Sequence, residues 1–205
     1  MSLHGRDVDW SARSVTWCEV TRPAVVLGST QADDAVIPGA AGLDVARRRS
    51  GGGAVLVEPG RVAWADVVVP AGDALWAADV GRATWWLGEV WVAALAALGV
   101  PQGVVHRGGL ERSAWSGEIC FAGLGPGEVT TGGRKAVGIS QRRTRQGALF
   151  QCALPLAWDP APLLAALALT APDRAAAARS LADAVFALEG PSLADVEGAF
   201  AASLP

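Results

Sequence analysis

Three consecutive glycines stand behind three arginines in Arg47-Arg48-Arg49-Ser50-Gly51-Gly52-Gly53-Ala54, with runs of strand-forming residues on either side. A chain with no Cβ atoms over three residues forms a loop there, and its backbone can approach a ligand closely. Flanking guanidinium groups add donors suited to a phosphate or carboxylate. No Gly-Lys-Ser/Thr follows, so this is not a Walker A loop. A strand rather than a helix comes next, so it is not the GxGxxG dinucleotide fingerprint either. A flexible hairpin connection has the same local signature, and the loop alone does not decide between the two.

The second constraint is Lys135, within Gly132-Gly133-Arg134-Lys135-Ala136-Val137-Gly138-Ile139-Ser140-Gln141. It is the only lysine among seventeen basic residues; the other sixteen are arginine. Lysine differs from arginine in being a compact point charge on a flexible stem, able to reach between two ligand oxygens and to shift its pKa. One surface lysine in an arginine-biased chain is the plain alternative. A ligand-contacting ammonium facing the glycine loop is the sharper one.

At 205 residues, with 51% apolar and 18% charged residues, the chain is long and apolar enough to bury a core. A net charge of −3 gives no general attraction to nucleic acid or anionic membrane. Cys18, Cys120 and Cys152 are odd in number, widely spaced and lack a CxxC, which fits free thiols in a reducing compartment. No secretory leader is visible, and the longest apolar runs are about half the ~20 residues of a membrane span. A cytoplasmic protein is expected, with no nucleic-acid or membrane partner.

Alternation and apolar runs predict strands at residues 15–20, 23–28, 43–46, 55–58 and 62–70, the last containing Asp66. A long helix is expected over 73–98, stopped by Gly99 and Pro101. Further strands are expected at 104–106, 118–121, 129–131, 135–139 and 148–156, then helices at 172–188 and 192–202. Arg142, Arg143 and Arg145 read as a basic turn, either solvated or a docking point for an acidic partner. His4 is expected to be solvated and His106 structural. The nine tryptophans are mostly core, with Trp64 or Trp115 as candidates to line an apolar tunnel. Strands first, one central helix and helices at the end predict an α+β fold, a central mixed sheet flanked by helices. One domain over residues 1–205 is expected, with no accessory C-terminal domain.

The segment 47–55, the segment 133–141 and Pro23-Ala24-Val25-Val26-Leu27-Gly28 with Gln31 resemble, in order and spacing, the signatures of the lipoate–protein ligase and octanoyltransferase family, relatives of biotin protein ligases. The resemblance implies a fold like the class II aminoacyl-tRNA synthetases and biotin ligases. It also implies attachment of a lipoyl or octanoyl group to a lysine of a lipoyl-carrier domain, of the 2-oxoacid dehydrogenase E2 or glycine-cleavage H-protein type. In the ligases ATP and Mg2+ first activate the acid as an acyl-adenylate. The family's ligand-binding loop maps onto Arg48, Ser50, Gly51, Gly52, Gly53, Ala54, Val55 and Leu56, and its central lysine onto Lys135. Arg49, Gly138 and Ser140 map to substrate contacts.

Cys120 is similar in position to the nucleophile of octanoyltransferases that take the acyl group from a carrier-protein thioester without ATP. A small buried hydrophobe on a strand is its plainer role. The sequence also departs from the family. Val57-Glu58-Pro59-Gly60 stands where His-Asp is usual, Gln151-Cys152-Ala153 replaces Gln-His-Gly, and Gly127-Glu128 replaces an Asn-Asp pair. Glu128 is then the one candidate metal carboxylate. The resemblance thus leaves three expectations: an adenylate-forming ligase, an acyl carrier protein-dependent transferase, or a non-catalytic binding module on the same fold. A separate accessory subunit is a further possible partner.

Overall fold

Four short, fully apolar residues decide the layering. Strand β2 (Ala24–Leu27) is buried along its whole length, as a strand must be when it is covered on both faces. Val25 and Leu27 face one way, into a cluster with Leu163, Leu164 and Leu181. Ala24 and Val26 face the other way, toward Val62, Trp64 and Ala153. In the computed structural model, which describes residues 7–205, β2 is therefore the middle of a small sheet held between helices and a larger sheet. His4 lies outside the described residues.

The small sheet runs β3 (Asp44–Arg47), β2, β4 (Val55–Val57), with β2 and β3 parallel and β4 antiparallel. The large sheet runs β1 (Ser14–Trp17), β5 (Val62–Pro70), β9 (Gly147–Pro155), β8 (Arg134–Arg143), β7 (Val129–Thr131), β6 (Gly103–Val105). Each of its pairings is antiparallel. The mixed sheet expected from sequence is thus an antiparallel sheet beside a small mixed one. The parallel pair arises because the β2-to-β3 connection, residues 28–43, is long enough to cross back.

Helices α1 (Trp85–Ala97) and α4 (Leu193–Ala202) cover the far face of the large sheet. Helices α2 (Ala161–Ala166) and α3 (Ala171–Leu181) back the small sheet. The helix expected over 73–98 begins only at Trp85, after a 3-10 turn at Arg82–Thr84. Asp73 Oδ1 accepts from Leu75 N and Asp79 Oδ1 from Arg82 N, so two aspartates hold residues 73–82 in turns. Helix α3 stops at Leu181 rather than 188, because residues 184–186 pair in parallel with Lys135. Lys135 N donates to Ala184 O, and Phe186 N donates to Lys135 O, both at 2.9 Å. The strand expected at 118–121 is a single parallel bridge from Ile119 to Ala54, followed by a 3-10 turn at Cys120–Ala122. Arg142 and Arg143, expected in a turn, belong to β8. Among the described residues no helix is long and apolar enough to cross a membrane.

Helix α1 also carries the site's supporting contact. A Cβ at Gly88 would lie 2.4 Å from Gly127 O, so only glycine lets the helix meet the 125–128 turn. Thr84 Oγ1 donates to Pro126 O at 2.8 Å from the same end. On the helix side of the sheet, Phe200 of α4 is fully buried, its ring centroid 4.7 Å from that of Trp91. Truncation of Phe200 to alanine is expected to cost about 3–5 kcal/mol. Urea denaturation will show this as a lowered midpoint at unchanged slope.

Candidate active site

The glycine loop joins β3 to β4 and is seated by contacts that exclude side chains. A Cβ at Gly28 would fall 1.8 Å from Gly52 O, and one at Gly53 only 2.5 Å from Ile119 N. Gly52 itself has φ of 101°, a left-handed conformation suited to glycine. Arg48, 2% exposed, holds the loop from inside. Its guanidinium donates to Gly51 O, Gly53 O and Val26 O. Arg47 likewise donates to Gly28 O and pairs with Asp33. Two of the three arginines therefore shape the loop. Arg49 lines a cleft of about 320 Å³ with Arg142, Trp10, Thr144, Gln146 and Asp7.

Beyond the loop, Ala54 N donates to Glu118 O and Cys120 N to Ala54 O, which draws residues 118–120 alongside. A Cβ on Gly52 would lie 3.9 Å from Cys120 Sγ. Cys120 is half-buried in a turn, not in the strand expected for it. Its carbonyl accepts from Lys135 Nζ at 3.1 Å, and Gly123 O accepts from the same nitrogen at 2.9 Å. Loop, cysteine and lysine therefore converge between the two sheets. Gly138 borders the same space: a Cβ there would sit in ordinary contact, 3.5 Å from both Lys135 Cε and Phe121 Cζ. The ammonium also lies 5.1 Å from the Phe121 ring centroid.

Lys135 is not exposed to solvent. It is 5% exposed and forms an ion pair with Glu128, Nζ to Oε2 at 2.7 Å. Glu128 Oε2 also accepts from Gly125 N at 2.6 Å, and Oε1 accepts from Ile139 N at 3.0 Å. Three donors thus engage the carboxylate that the sequence suggested for a metal. That arrangement does not fit Mg2+, which needs a carboxylate free to enter an octahedral oxygen shell. Among the described residues no group of three or more His, Cys, Asp or Glu is placed to hold a metal.

A second polar network crosses the same face of the large sheet. Ser50 Oγ lies 2.8 Å from both Ser140 Oγ and Gln151 Oε1. Gln151 Nε2 donates to Asp66 Oδ1 at 3.2 Å, and Trp64 Nε1 donates to that oxygen at 3.0 Å. Trp64, suggested as a tunnel wall, is 3% exposed and belongs to this network. Neither Gln151 nor Asp66 was marked as a site residue by sequence. One signal was available: an acid in the middle of an otherwise apolar strand, Val62–Pro70. Glu128 as partner to Lys135 had no such signal: the strand register sets Lys135 against Thr130, and the pairing is irregular between Val129 and Thr130, just after Glu128. His106 Nε2 is bonded to Gly109 O, away from these groups.

Three outcomes are expected. Glu128→Ala leaves a buried ammonium unpaired and should destabilise the fold on the order of 3–5 kcal/mol. Adding Lys135→Met should recover much of that loss in a double-mutant cycle followed by urea denaturation. Burial pushes the Cys152 thiol up to about 12. A thiol reagent at pH 8 should therefore label Cys120 in the native protein and reach Cys152 only on unfolding. The unfolded thiol titrates near ~9, so between there and about 12 the folded state holds a proton that the unfolded state has lost. By linkage, stability should fall as pH rises through that window.

The family model for the lipoyl protein ligase A/B catalytic domain matches residues 6–199. No curated protein matches. Among solved structures, the chain is similar to a bipartite lipoate protein ligase studied with its E2 lipoyl domain from Thermoplasma acidophilum. The TM-score is 0.71 at 20% identity, over 93% of this chain and 69% of that one. It is also similar to lipoate-protein ligase A bound with ATP, with a TM-score of 0.70 at 17% identity, over 96% of this chain and 73% of the other. A third is P. falciparum LipL1 in complex with lipoate, with a TM-score of 0.61 at 11% identity, over 93% and 48%. These likenesses show the class II synthetase-like fold. With a family match that spans nearly the whole chain, the chain belongs to the lipoyl protein ligase A/B catalytic-domain family.

Proposed function

We propose that this chain attaches a lipoyl or octanoyl group to a lysine of a lipoyl-carrier domain. The observation that carries this is the convergence of Lys135 Nζ, Cys120 and the Gly51–Gly53 loop between the two sheets. The neighbours' bound lipoate and ATP, and the E2 lipoyl domain studied with one of them, support the same choice of substrates. In the transfer step the carrier lysine's nitrogen forms an amide bond to the acyl carbon. The bond from that carbon to its leaving group breaks, the leaving group departs with the electron pair, and the amine's surplus proton goes to solvent. As the carbonyl oxygen gains charge, an ammonium that exchanges a backbone carbonyl for it stabilises that charge. The attacking amine has an ordinary pKa of about 10.4, so the site must take it up in its neutral form.

In the first reading the leaving group is the phosphate of an acyl-adenylate made from ATP. The Glu128 carboxylate, engaged by three donors, is not available there as a Mg2+ ligand. A specific observation favours a second donor, a carrier-protein thioester. Glu128 already cancels the charge of Lys135, and Cys120 Sγ stands against Gly52, where an acyl group passing along the loop reaches the thiol. Here the thiolate attacks the thioester carbon, the carrier's sulfur leaves, and the acyl group rests on Cys120 until the lysine amine takes it.

The test supplies an apo lipoyl-carrier domain with either octanoate, ATP and Mg2+, or an octanoyl-carrier thioester, and detects acylation by mass spectrometry. Transfer in at least one arm is expected, with a drop of at least a hundredfold in Lys135→Met/Glu128→Gln, a variant neutral at both positions. Activity in the thioester arm alone, with an acyl adduct on Cys120 and none in Cys120→Ala, selects the second donor. Transfer in neither arm would falsify the proposal.

A further inference from the structure

The 2.8 Å contact between Ser50 Oγ and Ser140 Oγ does not by itself reveal which hydroxyl donates. The surrounding groups determine it. Gln151 Oε1 carries no hydrogen, so its 2.8 Å contact with Ser50 uses the Ser50 proton. At its other end, the same amide donates from Nε2 to Asp66 Oδ1, where Trp64 Nε1 also donates. Asp66 Oδ1 already accepts from the Trp64 indole N–H, so it meets Gln151 as an acceptor, which keeps the amide nitrogen toward Asp66 and the amide oxygen toward Ser50. Reversing the amide would set two oxygens against each other at Asp66. With the single proton of Ser50 committed to Gln151, the contact between the serines runs from Ser140 to Ser50, and the other acceptor within reach of the Ser140 proton, Gln151 O at 3.4 Å, also lies inward.

The consequence lies at Ser140. Its proton points inward, and it presents lone pairs. Ser50 and Gln151 are 1% and 3% exposed, whereas Ser140 is partly exposed. Ser140 lies two residues along β8 from Gly138, over which the Lys135 side chain runs. That is about 7 Å along the strand. On the acyl-transfer reading above, the acyl carbonyl, a phosphate and a carboxylate are all acceptors and gain nothing from another acceptor. The carrier's amine is the one donor among the groups that meet at the reacting carbon. We propose that Ser140 Oγ accepts a hydrogen bond from the attacking lysine amine of the carrier, and that Asp66 and Gln151 are positioning residues that hold Ser140 in that polarity.

The test is a double-mutant cycle across the complex, read by calorimetric binding so that it does not depend on turnover. The probes are an apo lipoyl-carrier domain and the same domain with its acceptor lysine changed to methionine. Wild type should bind the lysine form about tenfold more tightly than the methionine form. Ser140→Ala should bind the two alike. Asp66→Leu, which frees the amide to reverse, should lose most of that preference. Asp66→Asn, whose oxygen still accepts from Gln151 and Trp64, should retain it. In acylation assays, Ser140→Ala should raise KM for the carrier about tenfold and leave KM for the acyl donor unchanged. If the effects of Ser140→Ala and the carrier substitution simply multiply, or if Ser140→Ala shifts the donor KM instead, the proposal is overturned. A wild type that shows the binding preference but transfers no acyl group upholds the Ser140 contact and overturns the transfer reading.

Discussion

Lys135 Nζ has three hydrogens and three acceptors: Glu128 Oε2, Cys120 O and Gly123 O. Burying an ammonium at that depth costs several kcal/mol of desolvation, which the Glu128 carboxylate and the two carbonyls offset by engaging all three hydrogens. The ammonium's environment organises the surrounding chain. The 120–123 turn supplies carbonyls, the 125–128 turn supplies the carboxylate, and residues 184–186 hold the lysine's backbone from the other side. Helix α1 sets the depth of the second turn, because Gly88 lets Gly127 come within contact. A ligand that reaches the ammonium must therefore replace an acceptor already in place. The neutral carbonyls are the cheaper ones to displace, since Glu128 contributes charge as well as a hydrogen bond.

The glycine loop follows a similar logic. A loop with three glycines has a high entropy of ordering, so it needs specific contacts to hold one conformation. Arg48 provides them from below, with Gly28 packed against Gly52 and Gly53 against Ile119. These contacts pin the inner side of the loop, while a Cβ at Gly51 would meet only open space. Rigid placement of backbone groups is what a site for an acyl donor requires, since misplacement by about 1 Å in such sites costs on the order of a hundredfold in rate.

Much of this was legible in the residues, and for physical reasons. The apolar runs of β2, β5 and β9, broken only by Asp66 and Gln151, reflect burial on both faces, and they located these strands well. Of the segments that fold differently from expectation, two show why. Residues 73–82 look helical by apolar spacing, but Asp73 and Asp79 compete for the backbone amides and hold turns instead. Residues 118–121 look like a strand, and only the approach of Ala54, distant in sequence, explains why they bend. Within the site, Lys135 and the glycine loop stood out by composition. The ion partner of Lys135 and the Ser50–Gln151–Asp66 network did not, because hydrogen-bond direction and charge pairing depend on three-dimensional register. Glu128 looked like a metal ligand only as long as its neighbours were unknown.

One consequence of the buried lysine concerns the protein's own surface. Activated acyl groups modify whatever unprotonated primary amine they encounter. Here the sole side-chain amine in 205 residues is 5% exposed and enclosed by three acceptors. Every other cationic side chain is a guanidinium or one of two imidazoles. A chain that handles such intermediates, as proposed, offers them no competing lysine, neither its own nor that of a neighbouring copy. Arginine carries the surface charge, which leaves the incoming carrier as the place where a lysine amine is available.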